Sequence, residues 1–230
     1  MVEKSAVHRV PPQSLETMKI VDNLLKAILY ECCSPIHIDA VVNSFAYKGA
    51  KNDATNDLIA FSQKDPSSSK DLNILSQTST SFSAVLHYRL AHNIYFGNSG
   101  LSVLEREYYA YLISQRGKLR SGAEINFKTK IGKRFILDHG YGTVFGNTAV
   151  IGDDCYILGG VILGAKGISQ NPDEPRHPII GNNTQIGSFS KIFGRVRIGN
   201  NVFIGADCTV TSDVPSNSRV VNKIPDSHII

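Results

Sequence analysis

Residues 179–210 read IIGNNTQIGSFSKIFGRVRIGNNVFIGADCTV, and this stretch decides the fold. An aliphatic residue stands at every sixth position, and glycine follows it at four of the six positions. A period of six matches neither the 3.6-residue repeat of an α-helix nor the two-residue alternation of an ordinary β-strand. The aliphatic positions, which we name the grid, are Ile180, Ile186, Ile192, Ile198, Ile204 and Val210.

The grid extends backwards through two earlier runs, with a slip of two residues before Phe145 and a gap of seventeen between Leu163 and Ile180. Fifteen of the nineteen glycines lie beyond residue 120, and eight of them directly follow a grid residue. The two halves of the chain therefore differ in composition, which predicts two architectures. The earlier grid positions are Ile125, Ile131, Leu137, Phe145, Ile151, Ile157 and Leu163.

A six-residue period is typical of a triangular solenoid, in which each hexapeptide supplies one short strand and one corner. The grid residue points inward and stacks on its equivalents in neighbouring coils. Asp153-Asp154, Asn182-Asn183 and Asn200-Asn201 fit the corners, because Asp and Asn tolerate left-handed backbone. The second half of the chain is therefore predicted to be a parallel β-solenoid.

The first half shows helical spacing instead. Apolar residues at steps of three and four predict helices over 14–33, 36–47, 82–96 and 101–117, the second of them stopped by Gly49. Residues 62–80 are rich in Ser, Asp and Lys, and we predict a loop or short turn there. The expected domains are 1–120, an α-helical oligomerisation domain; 121–215, the solenoid that carries the chemistry; and 216–230, a C-terminal tail.

Composition excludes several classes of protein. Apolar residues make up 42% and charged residues 19% of the chain, which excludes a disordered protein. The net charge of +4 comes without a basic block, and the sequence lacks an apolar run of membrane-spanning length, so neither a nucleic-acid nor a membrane partner is expected. The four cysteines show no CxxC spacing and read as free thiols. We expect a soluble, cytoplasmic protein without a metal.

Three short motifs lie on or beside the grid: Ile151-Gly-Asp-Asp-Cys155, Leu137-Asp138-His139-Gly140 and Arg176-His177-Pro178. Together they resemble motifs of the serine O-acetyltransferases, which are hexapeptide-repeat acyltransferases. The likeness covers about residues 60–215 and includes the order of helices before solenoid. It implies an α+β fold whose C-terminal part is a left-handed parallel β-helix. It also implies transfer of an acetyl group from acetyl-CoA to the hydroxyl of L-serine, the first step of cysteine biosynthesis.

Such a transfer needs a base that removes the hydroxyl proton during attack on the thioester, and a neutral imidazole suits this near pH 7. His139 is the candidate because it lies on the two-residue slip of the grid. A carboxylate would hold its tautomer, and the resemblance gives this role to Glu124, where the family has Asp. Asn126 and Phe127 replace a His-Pro pair of the family, which leaves the identity of the acceptor open.

The family residues that hold the amino-acid acceptor correspond to Asp138, Arg176 and His177, with Asp65 as a further contact from the helical domain. An arginine can bind a carboxylate through two hydrogen bonds, and an aspartate can receive an ammonium group. Residues 165–178 interrupt the grid, and the corresponding loop of the family partly covers a site at the seam between subunits.

Coenzyme A is implied to lie along the solenoid, where small residues let backbone amides approach it. Phe189 departs from the small residues of the family here and is expected to reshape the groove. Lys191 is the expected partner of the phosphates. The other cofactor positions are Gly164, Ala165, Gly187, Ser188, Gly205 and Ala206.

The resemblance also implies partners. The family forms trimers, which its helical domains pair into hexamers, so a homo-oligomer is expected. A tail that ends in Ile, as at Ile230, can insert into the active site of O-acetylserine sulfhydrylase, although an ordinary terminal tail has the same appearance.

Three alternatives stay open. The same chemistry could act on homoserine, a modified amino acid or an amino sugar. A γ-carbonic-anhydrase-like zinc hydratase shares the solenoid but needs three histidine ligands, and the repeat region contains only His139 and His177. The third alternative is a non-catalytic scaffold whose helical half recruits partners.

Overall fold

The computed structural model describes residues 12–66, 70–169 and 174–222. Within these ranges, six helices come first and fourteen short strands follow. This order confirms the predicted fold class. The helices are α1 (Pro12–Cys32), α2 (Pro35–Val42), α3 (Phe45–Lys64), α4 (Leu72–Thr78), α5 (Thr80–Phe96) and α6 (Val103–Ser121).

Two local predictions about the helices are wrong. Gly49 does not stop a helix but lies inside α3, where a Cβ would come within 2.7 Å of Asn93 Oδ1 on α5. The break falls earlier, at Asn43 and Ser44, and the Ser44 hydroxyl caps α3 by accepting from the Tyr47 N–H. Residues 62–80 contain α4 rather than only a loop, because Asp71 caps the N–H groups of a short helical segment.

The strands form a solenoid of three parallel sheets. The first sheet contains β1 (Glu124–Ile125), β4 (Val144–Phe145), β7 (Ile162–Gly164), β10 (Lys191–Phe193) and β13 (Thr209–Val210). The second contains β2 (Lys130–Ile131), β5 (Val150–Ile151), β8 (Ile179–Ile180) and β11 (Arg197–Ile198). The third contains β3 (Ile136–Asp138), β6 (Tyr156–Leu158), β9 (Gln185–Ile186), β12 (Phe203–Ile204) and β14 (Arg219–Val220).

The grid residues form the core of the solenoid. Ile125 pairs with Phe145, and Ile131 pairs with Ile151, each one coil further along the chain. All thirteen grid residues are buried. The last coil continues beyond residue 215, because Arg219 and Val220 pair with β12.

The corners use left-handed backbone where the sequence supplies Asp or Asn. Asp154, Asn183 and Asn201 have positive φ at the corner between the second and third sheets. The corner between the third and first sheets comprises residues 139–143, 159–161, 187–190 and 205–208, and we name it the His139 corner. The corner between the first and second sheets includes residues 146–149, 165–169 and 174–178, and we name it the His177 corner.

The helices cover the open end of the solenoid. The first coil has no preceding coil to pair with, so its backbone groups need other partners. The Tyr88 hydroxyl donates to the Thr129 carbonyl and accepts from the Ile131 N–H, at 2.8 and 3.1 Å. Side chains of α5 and α6 also bond the carbonyls of Phe127 and Ile125.

A buried ion pair connects the helices that cover the open end to the first coil of the solenoid; we name these helices the cap. The Arg89 and Asp57 side chains are 3% and 1% exposed, and Arg89 Nε lies 2.7 Å from Asp57 Oδ2. Arg89 also donates to the carbonyls of Ile131 and Gly132, while Asp57 accepts from the Phe135 N–H. The pair therefore connects α3 and α5 to both ends of one solenoid corner.

Replacing Arg89 by Leu leaves the Asp57 carboxylate buried without its cation. We expect the free energy of unfolding to fall by about 3–5 kcal/mol, the usual cost of breaking a buried pair. Urea denaturation followed by circular dichroism, at one fixed protein concentration, measures this change.

The control for this experiment is Arg134→Gln. Arg134 pairs with Asp154 but its side chain is 47% exposed, so the loss should stay below about 1 kcal/mol. Equal losses in the two variants would contradict a special role for the buried pair.

Candidate active site

The backbone at His139 is shaped by the two-residue slip. β3 ends at Asp138, and His139 follows with a φ of 49°, a left-handed conformation that is uncommon outside glycine. The Ser81 hydroxyl of α5 accepts from the Gly140 N–H at 2.9 Å. Gly159 of the next coil packs so closely on the His139 carbonyl that a Cβ there would clash. The corner is thus held from both sides, while the His139 side chain is 80% exposed.

Asp138 lies beside His139 and bonds Tyr156, on which the charge of Asp65 also acts. Asp138 Oδ1 lies 3.8 Å from His139 Nε2, and Asp138 Oδ2 accepts from the Tyr156 hydroxyl at 2.9 Å. Burial, the hydrogen bond to Asp138 and the charges of Asp138 and Asp65 all raise the pKa of Tyr156. Asp65 is buried at the end of α3, so the helical domain adds a carboxylate to this group.

Sequence reasoning missed Tyr156. It stands on β6 opposite Ile136 of β3, and it is half-buried beside a cleft of ≈ 410 Å³ that Lys64 and Gln185 also line. The signal that could have found it is its position in the coil after Asp138, since residues about one coil apart stack in a solenoid.

Glu124 lies on β1, one coil away from β4. Its carboxylate bonds the Lys118 ammonium of α6 at 2.5 Å, and this pair is largely exposed. The carboxylate that forms an ion pair with His139 is that of Asp138, at 3.8 Å, while Glu124 pairs with Lys118. The orienting role of Glu124 stays a prediction.

Arg176 and His177 lie at the His177 corner, where Thr148 organises them. The Thr148 hydroxyl accepts from the N–H groups of both residues, at 3.0 and 3.2 Å, and bonds His177 Nδ1 at 2.7 Å. Because the Thr148 N–H also donates to Nδ1, this nitrogen is an acceptor and Nε2 carries the proton of the neutral ring. Burial, with the charges of Arg176 and Arg195, lowers the pKa of His177.

The predicted acceptor residues thus occupy two separate corners of one chain. Asp138 precedes the His139 corner, while Arg176 and His177 belong to the His177 corner. The first sheet lies between the two corners, so a single chain does not bring Arg176 to His139.

Most predicted cofactor positions follow the His139 corner along successive coils. Gly187-Ser188 and Gly205-Ala206 come directly after β9 and β12. Gly164 and Ala165 lie instead at the end of β7, on the side of the His177 corner. Lys191 begins β10, and its ammonium bonds the Phe189 carbonyl at 3.1 Å and lies 3.5 Å from Asp207 Oδ1.

Phe189 is a prominent feature of the His139 corner. Its side chain is 64% exposed, its φ is 62°, and its ring lies against Gly160. Gly159 packs on His139 from the next coil, and Phe189 belongs to the coil after that one. The Phe189 ring therefore lies on the same surface, one coil beyond Gly159.

Two further observations concern metals and membranes. Among residues 12–66, 70–169 and 174–222 there is no group of three or more His, Cys, Asp or Glu side chains placed to hold a metal ion. None of the helices in these ranges combines the length and hydropathy needed to cross a membrane. Ile230, the residue predicted to contact a sulfhydrylase, lies outside the described residues.

Comparisons with known proteins agree with the fold and with the resemblance. The family model described as "Bacterial transferase hexapeptide (six repeats)" matches residues 177–212. A serine acetyltransferase of Staphylococcus epidermidis is 39% identical over 168 residues, which cover 73% of each chain. A serine acetyltransferase of Synechococcus elongatus is 37% identical over 159 residues, which are 69% of this chain and 61% of that enzyme.

Solved structures give the same picture. Soybean serine acetyltransferase complexed with serine matches with a TM-score of 0.73 and 28% identity, over 87% of this chain and 81% of that one. Serine acetyltransferase isoform 3 of Entamoeba histolytica, in complex with cysteine, matches with a TM-score of 0.71 and 28% identity, over 93% and 72% of the two chains.

Proposed function

Because the chain belongs to the serine acetyltransferase family, we propose that it transfers the acetyl group of acetyl-CoA to the hydroxyl of L-serine. The observation that carries this proposal is an exposed imidazole, His139, next to the Asp138 carboxylate on the one irregular corner of the solenoid's first coil. A base in that position is open to substrate, and its backbone is fixed by Ser81 and Gly159.

The proposed reaction is a direct acyl transfer. His139 Nε2 takes the hydroxyl proton as the serine oxygen attacks the thioester carbonyl. The tetrahedral intermediate collapses with cleavage of the carbon–sulfur bond. The coenzyme A thiolate then takes the proton from His139, so O-acetylserine and coenzyme A leave and the enzyme is unchanged.

Asp138 has two tasks in this proposal. One carboxylate oxygen is occupied by the Tyr156 hydroxyl, and the other lies near His139. The second oxygen can accept from the ammonium group of serine or from a protonated His139. Tyr156 is a positioning residue here, because it contacts Asp138 and not the reacting atoms.

Acetyl-CoA is proposed to run along the His139 corner, past Phe189 and the small residues of the later coils. The small residues Gly187, Ser188, Gly205 and Ala206 let the coenzyme approach this surface closely, although the N–H groups of Gly187 and Gly205 already bond the Ile204 and Val220 carbonyls. Lys191 supplies a cation for the phosphates. Ala165 and Gly164 would contact the coenzyme from a neighbouring chain, since they lie on the other edge of the first sheet.

We also propose a homo-oligomer in which two neighbouring chains form each active site. Arg176 and His177 are held at the His177 corner, and Asp138 and His139 lie across the first sheet from them. A cyclic trimer would place the His177 corner of one chain against the His139 corner of the next. Arg176 would then bind the serine carboxylate across the seam.

His139→Asn should lower kcat by about 10²–10⁴-fold, the usual contribution of a general base. The assay measures thiol release from acetyl-CoA in the presence of L-serine. Tyr141→Phe is the matched control, because Tyr141 is exposed on the same corner and should keep its rate. Retention of kcat in His139→Asn would overturn the role of the imidazole, and turnover with homoserine but not serine would change the acceptor.

Glu124→Gln should change kcat by less than about threefold, because the Glu124 carboxylate bonds Lys118 and not His139. Asp138→Asn in the same assay should lower kcat/KM strongly. A loss in kcat of about tenfold or more in Glu124→Gln, with KM unchanged, would give Glu124 the orienting role that the sequence predicts.

Mixing two inactive variants tests the shared site. If each site takes His139 from one chain and Arg176 from the next, co-assembly of equal amounts of His139→Ala and Arg176→Ala chains restores about a quarter of the sites by random assortment. The measurement is the rate after joint unfolding and refolding, compared with each variant refolded alone. A rate no higher than the sum of the two separate variants would place the whole site within one chain.

A further inference from the structure

Residues 165–178 join β7 to β8, and we name them the insertion; the structure describes 165–169 and 174–178 of it. The returning end of the insertion carries Arg176 and His177. This end must rejoin the solenoid in register with the coils on either side of it. The contacts made at the returning end therefore set where Arg176 lies.

The preceding coil holds the returning end through Thr148. The Thr148 hydroxyl accepts from the N–H groups of Arg176 and His177 and lies 2.7 Å from His177 Nδ1. Two N–H donors occupy the lone pairs of this oxygen, so the hydroxyl proton is directed to Nδ1. The hydroxyl thus has a partner for each of its hydrogen-bonding positions, and the arrangement requires that Nδ1 carries no proton.

The following coil holds the same end through Arg195. Arg195 precedes β11, and the Val196 carbonyl beside it accepts from the Ile179 N–H at 2.9 Å. Arg195 Nη1 donates to the Thr148 carbonyl at 3.2 Å and to the His177 carbonyl at 3.1 Å. Hydrogen bonds from a charged donor are stronger than those between neutral groups. One guanidinium nitrogen therefore joins the returning end to the preceding coil.

The residue before Arg195 touches the other end of the insertion. The Gly194 N–H donates to the Gly164 carbonyl at 2.9 Å, and a Cβ on Gly194 would lie 3.6 Å from Lys166 Cβ. Gly194 has a φ of 88°, a conformation that glycine adopts without strain. The dipeptide Gly194-Arg195 therefore contacts the leaving end of the insertion with its first residue and the returning end with its second.

The charge of Arg195 also acts on His177. Burial, with the charges of Arg176 and Arg195, lowers the pKa of His177 and favours the neutral ring. A second proton on the ring would have to sit on Nδ1, towards which the N–H and O–H of Thr148 both point. Arg195 thus favours the protonation state that the Thr148 hydrogen bonds require.

We propose that Arg195 is a positioning residue of the acceptor site, which holds Arg176 in place by bonding the carbonyls of Thr148 and His177. The proposal rests on the proposed function, in which Arg176 binds the serine carboxylate across the seam between chains. Arg195 acts through Arg176 and does not contact the reacting atoms. Its loss should therefore weaken binding of the acceptor more than it slows the chemical step.

Steady-state kinetics of acetyl transfer to L-serine test the proposal. Arg195→Met removes the charge and both hydrogen bonds, so the KM for serine should rise about tenfold, as expected for the loss of one charge-assisted contact. The values of kcat and of the KM for acetyl-CoA should change by less than about threefold. Arg195→Lys should keep the KM for serine within about threefold of the unmodified chain, because one ammonium group can donate to both carbonyls.

Arg197→Met is the matched control. Arg197 lies two residues further along the same coil and is exposed like Arg195, and its backbone N–H bonds Asp213. Its replacement removes one positive charge but leaves the bonds to Thr148 and His177, so the KM for serine should stay unchanged. An equal rise of this KM in the two methionine variants, or no rise in Arg195→Met, would overturn the proposal.

The titration of His177 gives a second readout, which does not need turnover. Histidine labelled with ¹³C reports the ring by nuclear magnetic resonance, and His177→Asn assigns its signal. We expect the pKa of His177 to rise in Arg195→Met, because the charge of Arg195 acts on this ring, and to stay unchanged in Arg197→Met. An unchanged pKa of His177 in Arg195→Met would contradict the proposed contact.

The two levels of the hypothesis fail in different ways. An unmodified chain that does not acetylate serine would refute the proposed function and the acceptor role that rests on it. A chain that acetylates serine and keeps its KM in Arg195→Met would refute the role of Arg195 alone.

Discussion

The unpaired backbone of the first solenoid coil is the constraint on which the rest of the structure depends. Every later coil bonds to the one before it, but the first coil must find its partners outside the repeat. The buried Arg89–Asp57 pair provides several of these partners, because it bonds two carbonyls and one N–H of the same corner. A buried ion pair is costly unless its remaining hydrogen-bonding groups are satisfied. Here the unpaired backbone groups of the first coil bond the ion pair. The desolvated charges and the unpaired backbone groups therefore satisfy each other.

The same cap shapes the candidate active site. Ser81 belongs to α5, the helix that carries Arg89, and it bonds the backbone next to His139. Asp65 ends α3, the helix that carries Asp57, and its charge acts on Tyr156. The irregular corner of the first coil is therefore held by the two helices that close the solenoid. This explains why the site lies at the boundary between the helical half and the repeat rather than midway along the solenoid.

The helical half does more than close the solenoid. It contributes the Asp65 carboxylate, whose charge acts on Tyr156, and it contains a cleft lined by His87. The solenoid contributes repetition: the His139 corner continues through Gly187-Ser188 and Gly205-Ala206 as one surface, suited to a long, thin ligand. The acceptor residues divide between two corners because the coil turns at both ends of each strand. Residues just before a strand of the first sheet therefore lie at one corner, and residues just after it lie at another.

The sequence by itself determined the solenoid, since a six-residue grid leaves each inward residue only its equivalents in neighbouring coils as partners. It also determined that His139 lies on an irregular corner directly after Asp138, because the slip in the grid begins there. The sequence predicted helices before the solenoid but placed a stop at Gly49, where close approach of α5 and not a turn requires glycine. Only the tertiary structure decided which side chains meet. Tyr156 reaches Asp138, Lys118 engages Glu124, and Arg89 finds Asp57, because coil stacking and helix packing bring together residues that no local pattern connects.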